Sequence, residues 1–182
     1  METVKFETLT KIAIDVGFQG VEIIKTDEIV LSAEFRDACE KNTCGLYGKC
    51  WMCPPDIGDI ETLMSQVKNY TYGMLVQSIN TLEDSFDIEG MLESGNNHAK
   101  KMRGLKKKII NELPDNSLIL STGGCRFCDK CSKVSGEPCR FPENALSSLE
   151  AYGINVSATV GKTSLRYING QNTVTYFGIV LF

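Results

Sequence analysis

Eight cysteines among 182 residues, arranged in two groups of four, are the residues of this chain best suited to chemistry. The first group runs Cys39-x4-Cys44-x5-Cys50-x2-Cys53 and the second Cys125-x2-Cys128-x2-Cys131-x7-Cys139. A C-x2-C-x2-C run lets one tight loop point three thiolates at a compact polynuclear centre that a more distant cysteine completes, the layout of a [4Fe-4S] site. Mononuclear zinc more often takes one closely spaced cysteine pair from each of two hairpins. The spacing therefore predicts two [4Fe-4S] clusters, with zinc as the alternative cofactor, and makes all eight cysteines candidate ligands. It does not fix their partition, because in two-cluster proteins the fourth cysteine of one run can ligate the other cluster. Two local clusters are the simplest arrangement, and a crossed one requires the loops to lie side by side. If Cys50 is not a ligand, the first centre keeps three thiolates and an open iron, which favours enzyme chemistry at an exchangeable position over pure electron transfer.

The neighbours of the cysteines suit such loops. Gly123 and Gly124 let the backbone come close to the site, while Pro54, Pro55 and Pro138 stiffen it. Tyr47 and Trp51 read first as packing. Lys49, Arg126, Lys130 and Arg140 read as solvated charges that also offset the negative charge of thiolate-bound clusters. The single histidine, His98, has no visible acidic partner and reads as a surface residue, which removes most histidine-based catalysis. Glu150 is a candidate supporting residue near a site. Neither a dinucleotide-binding glycine motif nor a P-loop is present, and one histidine allows no Ser-His-Asp set.

With 19 basic against 23 acidic residues the net charge is -4, so nucleic-acid binding is not expected. Lys100, Lys101, Arg103, Lys106, Lys107 and Lys108 form one basic stretch, which reads first as a solvated face and second as a dock for an acidic redox protein. Met1 to Gly20 shows no secretory pattern and the longest apolar run, Tyr176 to Phe182, is too short to span a bilayer, so a cytoplasmic location without membrane association is expected. In that reducing compartment eight thiols would not persist as disulfides.

The elements that must hold these loops form a single domain over 1–182. Helical periodicity marks Glu7 to Gly17, Asp59 to Asn69 and Ile88 to Leu113, the last loosened near Ser94-Gly95-Asn96; Glu143 to Tyr152 reads as a further helix. Val21 to Ile24, Ile29 to Ser32, Tyr70 to Ile79, Ser117 to Ser121, Ile154 to Val160 and Val174 to Leu181 read as strands. The fold class expected is α/β, a single layered domain with a mixed β-sheet flanked by helices and two long cysteine-rich metal-binding loops, Cys39 to Gly58 and Thr122 to Pro142. Tyr176 to Phe182 is either a strand pairing across a homodimer or a buried central strand.

Taken together, Cys44-Gly45-Leu46-Tyr47-Gly48 through Trp51 and Cys53-Pro54-Pro55, then Gly124 to Cys131 and Pro138 to Pro142, and finally Ser148-Leu149-Glu150-Ala151-Tyr152-Gly153-Ile154-Asn155-Val156, resemble the prokaryotic predicted metal-binding proteins grouped as domain of unknown function 2284. The resemblance covers most of the chain from about Phe35 onward. It implies metal binding, by iron-sulfur clusters, and names no reaction.

Overall fold

The computed structural model describes residues 6–182. Its centre is a five-stranded sheet in the order β1-β2-β5-β3-β4, where β1 is Gly20–Lys25, β2 Tyr72–Thr81, β3 Leu118–Ser121, β4 Ser147–Ser148 and β5 Thr173–Leu181. All neighbours are antiparallel except β3 and β4, which pair in parallel. β5 is central, registered with β2 on one side, Met74 opposite Val180, and with β3 on the other, Leu120 opposite Ile179.

Alternation along the strands sends residues to two faces, and both are covered. On one face Met74, Val76 and Val180 meet Leu9 and Ala13 of α1 (Phe6–Val16) and Met102, Leu105 and Ile109 of α4 (Ile88–Ile109). On the other, Leu75, Leu120, Ile179 and Leu181 pack with Leu63 and Val67 of α3 (Ile60–Lys68) and with Val156 and Val160 of α5 (Val156–Val160). A short α2 (Glu34–Glu40) precedes the first cysteine loop. Local chemistry sets the starts: Asp59 accepts from Thr62 N at the head of α3, and Asp87 from Gly90 N at the head of α4.

Several expected elements differ. Glu143 to Tyr152 is not a helix. Its Leu146 and Leu149 match a helical spacing, but Ser147 and Ser148 instead add β4 to the edge of β3, and only short 3₁₀ turns flank them. Ile154 to Val160 is not a strand, because the Asn155 side chain accepts from Ala158 N and starts α5. Ile29 to Ser32 provides only one antiparallel bridge, Leu31 to Ile154. The long α4 is unbroken at Ser94-Gly95-Asn96, where a side chain at Gly95 would crowd the Tyr176 ring and where the Tyr176 hydroxyl donates to Met91 O. Glycine there is a close-approach residue rather than a break.

His98 also departs from expectation. It is 1% exposed on the inner stripe of α4, its Nδ1 lies 2.9 Å from Ser78 Oγ, and it meets the Phe18 ring edge-on. Burial, and secondarily the Lys101 charge, pushes its pKa down to about 3, so it is neutral. The basic residues flanking it obscured a stripe in which positions 94, 98, 102, 105 and 109 all face inward. No helix among the described residues is long and apolar enough to cross a membrane.

Candidate metal centre

The first cysteine segment begins on a helix rather than in a loop, since Cys39 sits in the last turn of α2. Asn42, at φ 53°, then reverses the chain. Its N–H donates to Cys39 O, its carbonyl accepts from Gly45 N, and its side chain accepts from Tyr47 N. A second turn is closed by Gly48 N on Pro54 O. Inside it Cys53 N donates to Cys50 O, so that the C-x2-C spacing makes one helical turn with the two thiols adjacent. Cys44 is exposed, Cys39 half-buried, and Cys50 and Cys53 are 1% and 8% exposed.

The second segment leaves β3 and folds back on itself. Val134 N donates to Cys131 O and opens a 3₁₀ turn, Ser132–Ser135; Ser132 Oγ donates to Pro138 O and Glu137 N to Ser132 O. These bonds return Cys139 toward the C-x2-C-x2-C run, and Arg140 Nη2 donating to Lys130 O fixes the closure.

The two segments lie side by side and are tied directly. The Trp51 indole N–H donates to Glu137 O at 2.9 Å; Lys133 pairs with Asp56 and places its ammonium 4.3 Å from the Trp51 ring centre; Ser147 Oγ donates to Met52 O. Gly124 is needed for this approach, because a Cβ there would overlap Leu46 Cδ1 and stand 3.1 Å from Cys53 Sγ.

As a result Cys50, from the first segment, shares a cavity with Cys125, Cys128, Cys131 and Cys139. Its Sγ is 3.8 Å from Cys125 O and its thiol also reaches the Cys131 side chain. Trp51, Met52, Phe127 and Phe141 complete the walls; the two phenylalanines meet edge-to-face at 5.2 Å, and Arg103 lies 5.0 Å from the Phe127 ring while donating to Asn144 O. The five cysteines are spread around the cavity: among the described residues no three Cys, His, Asp or Glu side chains stand close enough to hold one ion.

Cys39, Cys44 and Cys53 are not brought into that cavity. Cys44 lies near enough for its charge to act on both of the others. The neighbouring Cys53 thiol, with main-chain contacts from Met52 and Cys125, pulls the Cys50 pKa down, while the Cys50 thiol and burial push that of Cys53 up. Burial raises Cys39 against the lowering effect of Arg36, and burial likewise raises the Glu150 carboxyl beside it.

Lys49, Arg126, Lys130 and Arg140 are exposed, and Lys106 is anchored on Glu143 O. Sequence reasoning did not find Asp56, Lys133, Arg36, Phe127 or Phe141. Each lies within a few residues of a cysteine, but no spacing rule pairs residues from separate loops.

By residue type, though not by the spacing of the side chains, the eight free cysteines suit a thiolate-held group; two cysteine-rich segments, docked at the β3–β4 side of a mixed sheet, define a cysteine-rich α/β protein. The model of the predicted metal-binding protein family of domain of unknown function 2284 matches residues 22–182, and the chain belongs to that family. No curated protein and no solved structure gives a significant match.

Proposed function

We propose that the protein is an iron-sulfur protein carrying two [4Fe-4S] clusters and acting in single-electron transfer. The observation that carries this reading is the single cavity lined by five cysteines drawn from both segments. Zinc and a [4Fe-4S] cluster each take four protein ligands, so the cavity supports a thiolate-held group and the C-x2-C-x2-C run is what favours the cluster over zinc. When bound, such clusters supply one-electron redox chemistry at potentials set by exposure and by hydrogen bonds to sulfur. The chain's own residues shape those conditions. Phe127 and Phe141 limit water at the cavity, while exposed Arg126, Lys130 and Arg140 put positive charge beside it and favour an acidic redox protein as partner.

The test is metal and acid-labile sulfide analysis of protein purified without oxygen, together with its visible spectrum. About eight iron and eight sulfide per chain, four of each per cluster, are expected. About two zinc and no sulfide, one ion per four-cysteine site, would refute the proposal and make the protein a structural zinc-binding interaction module.

A further inference from the structure

We infer that the rim of the five-cysteine cavity and one flank of α4 form a single docking face for a small acidic protein that carries one electron at a time. This rests on the iron-sulfur reading above and adds to it the surface, its residues and the charge of the partner.

Helical geometry divides the basic stretch of α4. Counted from the buried stripe at positions 94, 98, 102, 105 and 109, a turn of about 3.6 residues sends Lys101 and Lys108 to one flank and Arg103 and Lys106 to the other. Lys101 is engaged on the first flank, donating to Gly17 O and standing 5.9 Å from the Phe18 ring centre. On the second, Arg103 lies 5.0 Å from the Phe127 ring centre and donates to Asn144 O, while Lys106 donates to Glu143 O at 2.7 Å. These contacts bring two α4 cations to the Phe127–Phe141 pair, which walls the cavity and remains 40% and 41% exposed. Arg126 and Arg140, the residues before those rings, and Lys130, whose carbonyl accepts from Arg140, are exposed at the same rim. Five cations therefore gather at an exposed aromatic pair, against the carboxylates of Asp129, Glu137 and Glu143, in a chain whose net charge is -4. Positive charge collected on one face of an acidic chain orients a partner of opposite sign. Aromatic and arginine side chains are those that anchor interfaces, and Arg103, Lys106 and Arg140, already held by main-chain carbonyls, lose less freedom on docking. In the docked pair one electron crosses between carrier and cluster, one oxidised as the other is reduced, with no bond made or broken.

The test uses the full chain, purified without oxygen, with iron and sulfide counted in each sample. Its probe is a plant-type [2Fe-2S] ferredoxin, an acidic one-electron carrier, with cytochrome c as the basic counterpart; recognition by charge does not require the natural partner. Titration calorimetry is run between about 10 and about 150 mM salt, across which the Debye length falls from about 30 to about 8 Å. Ferredoxin should bind and cytochrome c should not, with a ferredoxin Kd that rises about tenfold over that range. At low salt Arg126→Glu/Lys130→Glu should raise the Kd about tenfold, and Lys108→Glu, on the opposite flank, should leave it unchanged. Lys106→Glu, outside the cysteine segments, should raise it about threefold, so the face is tested even if the double variant loses its metal. Equal binding of both carriers, or equal weakening by Lys108→Glu and Lys106→Glu, would overturn the docking face. Tighter binding of oligothymidylate than of ferredoxin, lost in the same variants, would overturn it in favour of nucleic acid. If the parent protein holds about eight sulfide per chain and does not bind ferredoxin, the docking face alone fails; if sulfide is absent, the iron-sulfur reading fails and the electron-carrying partner falls with it.

Discussion

Replacing Lys133 by methionine tests whether the tie between the two cysteine segments holds them together. The Lys133 and Asp56 side chains are only 24% and 15% exposed, and Asp56 Oδ2 has no partner among the described residues. An exposed pair would contribute about 0–1 kcal/mol, whereas removing one partner of a fully buried pair costs about 3–5 kcal/mol. This pair is intermediate, so about 2 kcal/mol is expected, with about 0.5–1 kcal/mol more from the ammonium over the Trp51 ring. The total of about 2–3 kcal/mol corresponds to a fall in Tm of about 4–12 °C for a chain of this size. Trp51 is the only tryptophan, so its fluorescence reports this contact alone, while circular dichroism follows the whole fold. The double variant Lys133→Met/Asp56→Asn should be less destabilised than the sum of the singles, with a coupling of about 1–2 kcal/mol. Effects that add to within about 0.3 kcal/mol would refute the reasoning and reduce the pair to a surface contact.

Gly124→Ala should force Leu46 to rotate and press on Cys53 Sγ, costing about 1–2 kcal/mol and lowering metal content; an alanine variant as stable and as fully loaded as the parent protein would contradict the close approach. His98 carries a pH signature. Its folded pKa, about 3, lies below the ordinary 6.5, so the folded state binds fewer protons between those values. The stabilisation is complete above about pH 6.5 and is lost as pH falls through the folded value, by up to about 5 kcal/mol in total. Urea denaturation at pH 7, 5 and 4 should show that loss in the parent protein and a flatter profile in His98→Gln. Phe127→Ala opens the cavity mouth and, on the iron-sulfur reading, should bleach faster in air than the parent protein; equal rates would deny the ring a shielding role.

Most of the scaffold was legible because its signals are local. The apolar stripes of α1, α3 and α4 and the dense hydrophobic strands β2 and β5 announce themselves at periods of 3.6 and 2. What misled was competition between equally local signals: Leu146 and Leu149 suit a helix, yet the free edge of β3 captured Ser147 and Ser148; Ile154, Val156 and Val160 suit a strand, yet Asn155 is a helix cap. α2 went unseen because none of its residues is buried, leaving no stripe to read. The two groups of four cysteines announce metal binding from spacing alone, in keeping with the family to which the chain belongs. Their grouping was not legible, because the docking of one segment on the other depends on Trp51, Asp56, Lys133 and Gly124, residues ordinary in type and distant in sequence.

The central position of β5 also imposes a timetable on biosynthesis. β2 and β3 do not touch each other in the sheet; residues 173–181 join them, and every cysteine is translated before that joint exists. At about 5–20 residues per second, the roughly forty residues between Cys139 and Leu181 take about 2–8 s to make. Throughout that interval the nascent chain holds eight thiols on undocked segments. Full support for a thiolate-bound group is therefore in place only after β5 is made, and until then an oxidising medium would let those thiols pair with one another.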